Sequence, residues 1–354
     1  MGEILGIGLS HYPPLSGLDE DMAGILRWTL DDPSIPDERK DPSNWPEQMQ
    51  REWGDDRGVA RATQHRRALV SGFDRVRAAL DAFAPDLVVI WGDDQYENFR
   101  EDIIPPFCVL AYEDLKVTPW ASAQHSSTME GRSNIWGESP DTSFIVRGHR
   151  DAGLHLVAKL LDENIDVAYS YEPLHHEGFA HAFLNTILYL DYHRRGFPYP
   201  VVAFPVNCYG RRVISYRGFI SRFADQTPFD PPSPSPRRLM DLGAAAARTL
   251  RDSPWRVALI ASSSWSHAFL CDKTWRLYPD MDGDRRLFAA LQSADYTTWE
   301  QVSLDALEDA GQQELLSWFA LIGAMQELGR SATWATMVES YIFNSNKVFA
   351  SFEP

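Results

Sequence analysis

Ile4-Leu5-Gly6-Ile7-Gly8-Leu9 runs directly into Ser10-His11-Tyr12-Pro13-Pro14-Leu15. The apolar run is too short for a helix and reads as a buried strand, which Pro13-Pro14 ends by withholding backbone donors. His11 therefore stands at a strand's carboxyl end. In an α/β sheet ligands collect along that edge, so this imidazole is a candidate metal ligand or acid–base group. A purely structural histidine would look the same in sequence, and the assignment depends on what else reaches the edge.

Moving outward, three more strand ends carry titratable clusters. Leu87-Val88-Val89-Ile90-Trp91 leads into Gly92-Asp93-Asp94-Gln95-Tyr96-Glu97-Asn98-Phe99. Ile165-Asp166-Val167-Ala168-Tyr169-Ser170 precedes His175-His176-Glu177-Gly178-Phe179-Ala180-His181, and Val257-Ala258-Leu259-Ile260-Ala261 precedes Ser262-Ser263-Ser264-Trp265-Ser266-His267, with Asp280, Asp282 and Asp284 beyond. Further strands are expected over 103–110 and 200–206. Apolar residues at helical spacing predict helices over 59–83, 148–163, 242–250, 284–291 and 310–328, and another opening near His181. The alternation of strands and helices argues an α/β fold with a central sheet covered on both faces. Residues 17–58, rich in Asp, Pro and Trp, read as an ordered insertion, either a lid over the site or surface decoration. His125 falls in a loop that runs to about residue 142.

Composition narrows the function classes. At 354 residues with 44% hydrophobic residues the chain can bury a large core. A net charge of −17 disfavours nucleic acid and anionic membranes as partners. Cys108, Cys208 and Cys271 form no paired motif, no apolar run approaches spanning length, and the first residues lack a basic leader, so the expected compartment is the cytoplasm. Imidazoles and carboxylates without thiolates suit Fe(II), Mn(II) or Zn(II).

Ser10-His11-Tyr12-Pro13-Pro14, Asp94-Gln95-Tyr96-Glu97-Asn98-Phe99 with Asp102-Ile103-Ile104-Pro105-Pro106-Phe107, and Ser264-Trp265-Ser266-His267 together resemble the class III extradiol ring-cleavage dioxygenases, the LigB-like family. The stretch from Ala310-Gly311 through Glu314-Leu315 and Trp318 to Ile322-Gly323-Ala324-Met325 is similar to that family's C-terminal helix. The resemblance implies one catalytic domain over 1–354, a three-layer α/β/α fold with a central mixed sheet, and opening of a catecholic ring by O2 on Fe(II) held by two histidines and a glutamate.

Carried over by position, His11 matches the first ligand, Gln95 occupies the second histidine's place, and Asp282, with Asp280 as alternative, is the counterpart of the glutamate. His65, His175 or His176 could supply the missing nitrogen, although each has a plain structural reading too. His181 and His267 are matched to acid–base residues beside the metal. The expected partners are a small catecholic aromatic and O2, and a homodimer is the default assembly. Because Gln95 and Asp282 depart from the pattern, a ligand-binding protein or a metal-dependent hydrolase on the same scaffold is the alternative.

Overall fold

The computed structural model describes residues 2–123, 131–175, 178–213, 216–218 and 221–354; His125 and His176 lie outside them. Its strands are β1 (Ile4–Leu9), β2 (Leu87–Asp93), β3 (Cys108–Leu110), β4 (Leu115–Val117), β5 (Phe144–Val146), β6 (Ala168–Ser170), β7 (Val201–Val206), β8 (Val257–Ser262), β9 (Trp334–Val338) and β10 (Lys347–Phe352). Eight of them form one sheet in the order β6-β3-β7-β2-β8-β1-β10-β9, and β4 and β5 pair separately. The central four, β7, β2, β8 and β1, are mutually parallel, whereas β10 runs antiparallel to β1 and to β9. The expected mixed sheet is thus present.

Side-chain alternation assigns each strand residue to a layer. Leu87, Val89, Trp91, Val257, Leu259 and Ala261 face one core, and Val88, Ile90, Ala258, Ile260, Ile7 and Leu9 face the other. Helices α1 (Val59–Phe83), α2 (Arg150–Asp162), α3 (His181–Leu190), α4 (Pro236–Arg251), α5 (Met281–Ser293) and α6 (Leu316–Glu327) follow in chain order. Helices α1 and α3 cover the face of Val88 and Ile90; α2, α4 and α6 cover the opposite face. Helix α6 approaches the sheet closely because Gly8 has no side chain: a Cβ there would collide with the Trp318 indole. This is the physical reason for glycine at that place in the opening strand.

Besides the short pair β4 and β5, two strands of the main sheet went unanticipated, β9 and β10. The second is buried throughout and inserts beside β1, and its first residue is a lysine. Residues 17–58 form short helices, including Gly24–Leu30 and Glu47–Trp53, that bury Leu26, Trp45, Met49 and Trp53. Register finally positions the chemistry. Leu9 lies opposite Ser262 and Asp93 opposite Val206, so β1, β8, β2 and β7 all end along one edge.

Candidate metal centre

Two residues past β1, His11 is turned inward and buried. Its Nδ1 lies 3.0 Å from Ser262 Oγ at the end of β8. Ser262 donates to the Ala182 carbonyl at 3.2 Å, so its oxygen is free to accept the Nδ1 proton and leave a lone pair on Nε2. His181 opens α3. Glu97 grips it twice, accepting from its backbone N–H and contacting Nδ1, each at 2.8 Å. The Nε2 of His181 therefore faces away from Glu97 and stands 3.9 Å from Asp93 Oδ2, while His11 Nε2 is 3.6 Å from Asp93 Oδ1.

Asp93 ends β2, is fully buried, and receives no hydrogen bond from another side chain among the described residues. The donor atoms of His11, Asp93 and His181 all lie within 4.8 Å of one another. Glu314, in the 3-10 turn Gln313–Leu315 that leads into α6, adds a second buried carboxylate. Its Oε2 is 3.9 Å from His11 Nε2 and accepts from Ser264 N–H at 3.2 Å. Its Oε1 is 3.2 Å from His267 Nε2 and accepts from the Tyr209 hydroxyl.

Electrostatics follows from burying these groups together. Burial pushes His11 well below the usual imidazole range, and the nearby His181 and His267 push the same way. Burial raises Asp93 to about 6, with Glu97 adding to the rise and His181 opposing it. Glu314 is raised well above the carboxylate range by burial and then by Asp93. Burial alone would depress His181, but Glu97 and Asp93 outweigh it and hold its imidazolium up to about 10. His267 drops to about 3, through burial first and Lys347 second.

A divalent cation would relieve what the protein leaves unrelieved. Asp93 is a buried carboxylate with no side-chain hydrogen bond among the described residues, faced by His181 at 3.9 Å and His11 at 3.6 Å, and both imidazoles have Nδ1 held and present Nε2 toward it. Holding the far ring nitrogen in this way orients a ligating histidine. Two nitrogens and one carboxylate also match the open donor set of non-haem Fe(II) sites, so the residues fit the metal that the motifs imply. An open surface cavity of about 630 Å³ beside Arg61, Arg285 and Tyr341 includes none of these residues. The chemistry, and not cavity size, marks the centre.

The sequence-read residues divide clearly. His11, His181 and His267 come together around Asp93 and Glu314. Gln95 is half-buried and its Nε2 donates to the Gly218 carbonyl at 2.8 Å. Asp282 does not join the cluster: it sits in the first turn of α5 with its side chain 97% exposed, 3.7 Å from Arg285. Asp280 caps α5 through Gly283 N–H and pairs with Lys273 at 2.7 Å. His65 is buried beside Phe343 and Tyr12 with neither ring nitrogen hydrogen-bonded among the described residues, and His175 pairs with Asp102 at 2.8 Å.

Sequence reasoning passed over Glu314, Glu97 and Tyr209 as site residues and did not single Asp93 out as a ligand. A signal existed for the first. Glu314 is the sole ionisable residue between Asp309 and Glu327, at the head of a helix buried on every side.

Comparison with known proteins adds an independent line. The chain is 27% identical over 323 residues, 77% of its length and 86% of the relative's, to the 2,3-dihydroxyphenylpropionate/2,3-dihydroxicinnamic acid 1,2-dioxygenase of Burkholderia vietnamiensis. It is 28% identical over 287 residues, 73% and 76% of the two lengths, to the Paraburkholderia xenovorans protein of the same name. A shorter match of 192 residues, 54% of this chain and 46% of the relative, reaches 30% identity with the Paraburkholderia phymatum protein. No known family profile matches the chain. The chain is thus similar, over most of its length, to dioxygenases named for dihydroxylated aromatic acids, which supports the kinship suggested by the motifs.

Proposed function

We propose that this chain is an Fe(II)-dependent extradiol dioxygenase that opens a catechol-like ring with O2. The observation that carries the reading is the convergence of two Nδ1-anchored imidazoles, His11 and His181, on the unpaired buried carboxylate of Asp93. In this reading His11, His181 and Asp93 hold the metal, and Glu314 is a second carboxylate facing the same gap. The second imidazole, absent at Gln95, comes from the start of α3. Relatives named for 2,3-diols and 1,2-cleavage act on a bond beside the hydroxyl pair, which is extradiol chemistry.

When bound, Fe(II) would bring diol and O2 together and pass charge between them. The chain's own residues do the rest. Glu97 and Ser262 keep both imidazoles turned with Nε2 inward. In this reading His267, neutral at working pH, takes a ring-hydroxyl proton and returns it later. Tyr209 and Ser264 fix Glu314, and the burial of His11, Asp93 and Glu314 keeps bulk water away. The three cysteines are free, in keeping with a cytoplasmic setting, and no helix among the described residues is long and apolar enough to cross a membrane. A homodimer is the proposed assembly, to be checked by light scattering.

The test loads the purified protein with Fe(II) without air and follows oxygen uptake and the visible spectrum with 2,3-dihydroxyphenylpropionate, catechol, protocatechuate and gallate. Oxygen consumption with a new yellow chromophore, abolished in His11→Ala, is expected. Silence across the panel, together with substoichiometric iron, overturns the proposal.

A further inference from the structure

We propose that Asp284 is a positioning residue that holds His267 and Glu314 in register, an inference that rests on the dioxygenase reading. Asp284 lies in the first turn of α5 and is completely buried. The Ser266 N–H points between its two oxygens at 3.1 Å from each. Gln312 Nε2 donates to Oδ1 at 2.6 Å and Asn346 Nδ2 donates to Oδ2 at 2.8 Å. One carboxylate therefore ties together the residue before His267, the residue two before Glu314, and the residue before Lys347 at the start of β10.

The two site loops also touch directly, through His267 N–H on the Gly311 carbonyl at 2.7 Å and the Ser266 hydroxyl on the Ala310 carbonyl at 2.5 Å. Those bonds join them to each other. Asp284 joins both to a rigid helix and to the edge of the sheet. Its three donors are buried, so removing the carboxylate leaves Ser266 N–H and Gln312 Nε2 without that acceptor, leaves Asn346 Nδ2 only the Met281 sulfur at 3.4 Å, and frees the loops to shift. Asparagine would behave differently. Its single oxygen still accepts from Ser266 or Asn346, and the Gln312 amide can turn over to meet the new NH2. Asn346 cannot do the same, because its Oδ1 already accepts from Ser340 N–H at 3.0 Å.

The experiment uses the full chain and compares wild type, Asp284→Ala and Asp284→Asn for bound Fe(II), thermal midpoint, kcat and KM. Asp284 contacts none of His11, His181 and Asp93, so stoichiometric metal is expected in both variants. In Asp284→Ala kcat should fall at least ~30-fold with KM changed less than ~3-fold, the order of loss that a misplacement near 1 Å brings. In Asp284→Asn kcat should recover to within ~5-fold of wild type. An Asp284→Ala enzyme with wild-type kcat overturns the proposal. So does a loss of kcat that merely tracks the thermal midpoint and is equal in both variants. If Asp284→Ala does not fold, Gln312→Ala severs only the Glu314 arm. It should lower kcat ~5–10-fold with metal retained, and an unchanged kcat would be decisive against the idea. A wild-type protein that takes up neither iron nor oxygen fails one step earlier, at the dioxygenase reading, and the Asp284 role falls with it.

Discussion

Two acidic stretches, Asp93-Asp94-Gln95-Tyr96-Glu97 and Asp280-Met281-Asp282-Gly283-Asp284, look alike in sequence and do opposite things in the fold. Each buries one or two carboxylates and spends another on the local backbone. In the first, Asp94 accepts from Glu97, Asn98 and Phe99 N–H and so folds the loop, while Asp93 beside it accepts from no other residue among those described. In the second, Asp280 caps the helix, Asp282 is solvated, and buried Asp284 is saturated by three donors. The lesson concerns burial. A buried carboxylate with its donors in place is scaffold, and one without donors is waiting for a cation, because an uncompensated buried charge costs too much to be kept idle.

The largest effect that could break this contrast is expected at Asp93. Asp93→Asn keeps the shape and removes the charge, so Fe(II) affinity should drop at least ~100-fold and oxygen uptake should vanish with it. The metal-free variant should at the same time melt ~2–5 °C higher, since the wild-type group is raised to about 6 and its ionised form is strained by burial at neutral pH. Calorimetric titration with Fe(II) and a melting curve in chelator read both arms. Wild-type affinity in Asp93→Asn would remove the carboxylate from the centre. Next in size is Glu97→Gln. It weakens the grip on His181 Nδ1 without touching the ligand atoms, and metal affinity should fall ~10–100-fold. An unaltered affinity would leave His181 as an acid–base residue only.

How much of this was legible follows from the same physics. Leu87-Val88-Val89-Ile90-Trp91 and Val257-Ala258-Leu259-Ile260-Ala261 announce buried parallel strands because both faces are covered and no polar residue interrupts them. Strands β9 and β10 were hidden: β9 is a half-buried edge strand, and β10 begins with Lys347, whose Nζ donates to the Phe343 and Ser345 carbonyls and lies over the Tyr12 ring. His11, His181 and His267 could be read because each follows a strand or opens a helix. Glu314 showed in sequence only as a lone charge at the head of a buried helix; its role was hidden, since its environment is assembled by Tyr209, Ser264 and His267 from distant segments. The exposure of Asp282, read from the motif as a ligand with Asp280 as the alternative, could have been foreseen. Met281, Asp284, Leu287 and Leu291 recur at helical spacing on the buried stripe of α5, and Asp282 lies off it.

Histidines sharpen the comparison at a smaller scale. His11 has Ser262 on one nitrogen and carboxylates before the other; His65 has a hydrogen-bond partner on neither among the described residues. Burial holds His65 well below its usual value, with Lys347 and Arg61 adding to the effect. The folded chain therefore refuses a proton that the unfolded chain accepts below about pH 6.5, and stability falls as the pH drops through that value. One such group steepens the acid limb by about 1.4 kcal/mol per pH unit. His65→Phe should flatten the limb by that one proton, measured as the urea midpoint of metal-free protein between about pH 7 and pH 5. A slope unchanged from wild type would show that His65 is protonated in the fold.

The smallest effects are expected at Asp282 and Gln95, two of the three positions where the motif resemblance placed ligands. Asp282→Asn alters an exposed side chain 3.7 Å from Arg285, a contact of the kind that contributes ~0–1 kcal/mol, and Fe(II) affinity and kcat should stay within ~2-fold. Gln95→His is the more searching variant. The present amide is engaged with the Gly218 carbonyl, and an imidazole there would have to release that bond before turning toward His11. With His181 and His11 already supplying two nitrogens, Fe(II) affinity should change less than ~3-fold. A tenfold gain would mean that position 95 reaches the metal after all, and that the second imidazole of the centre belongs on the loop after β2 and not at the head of α3.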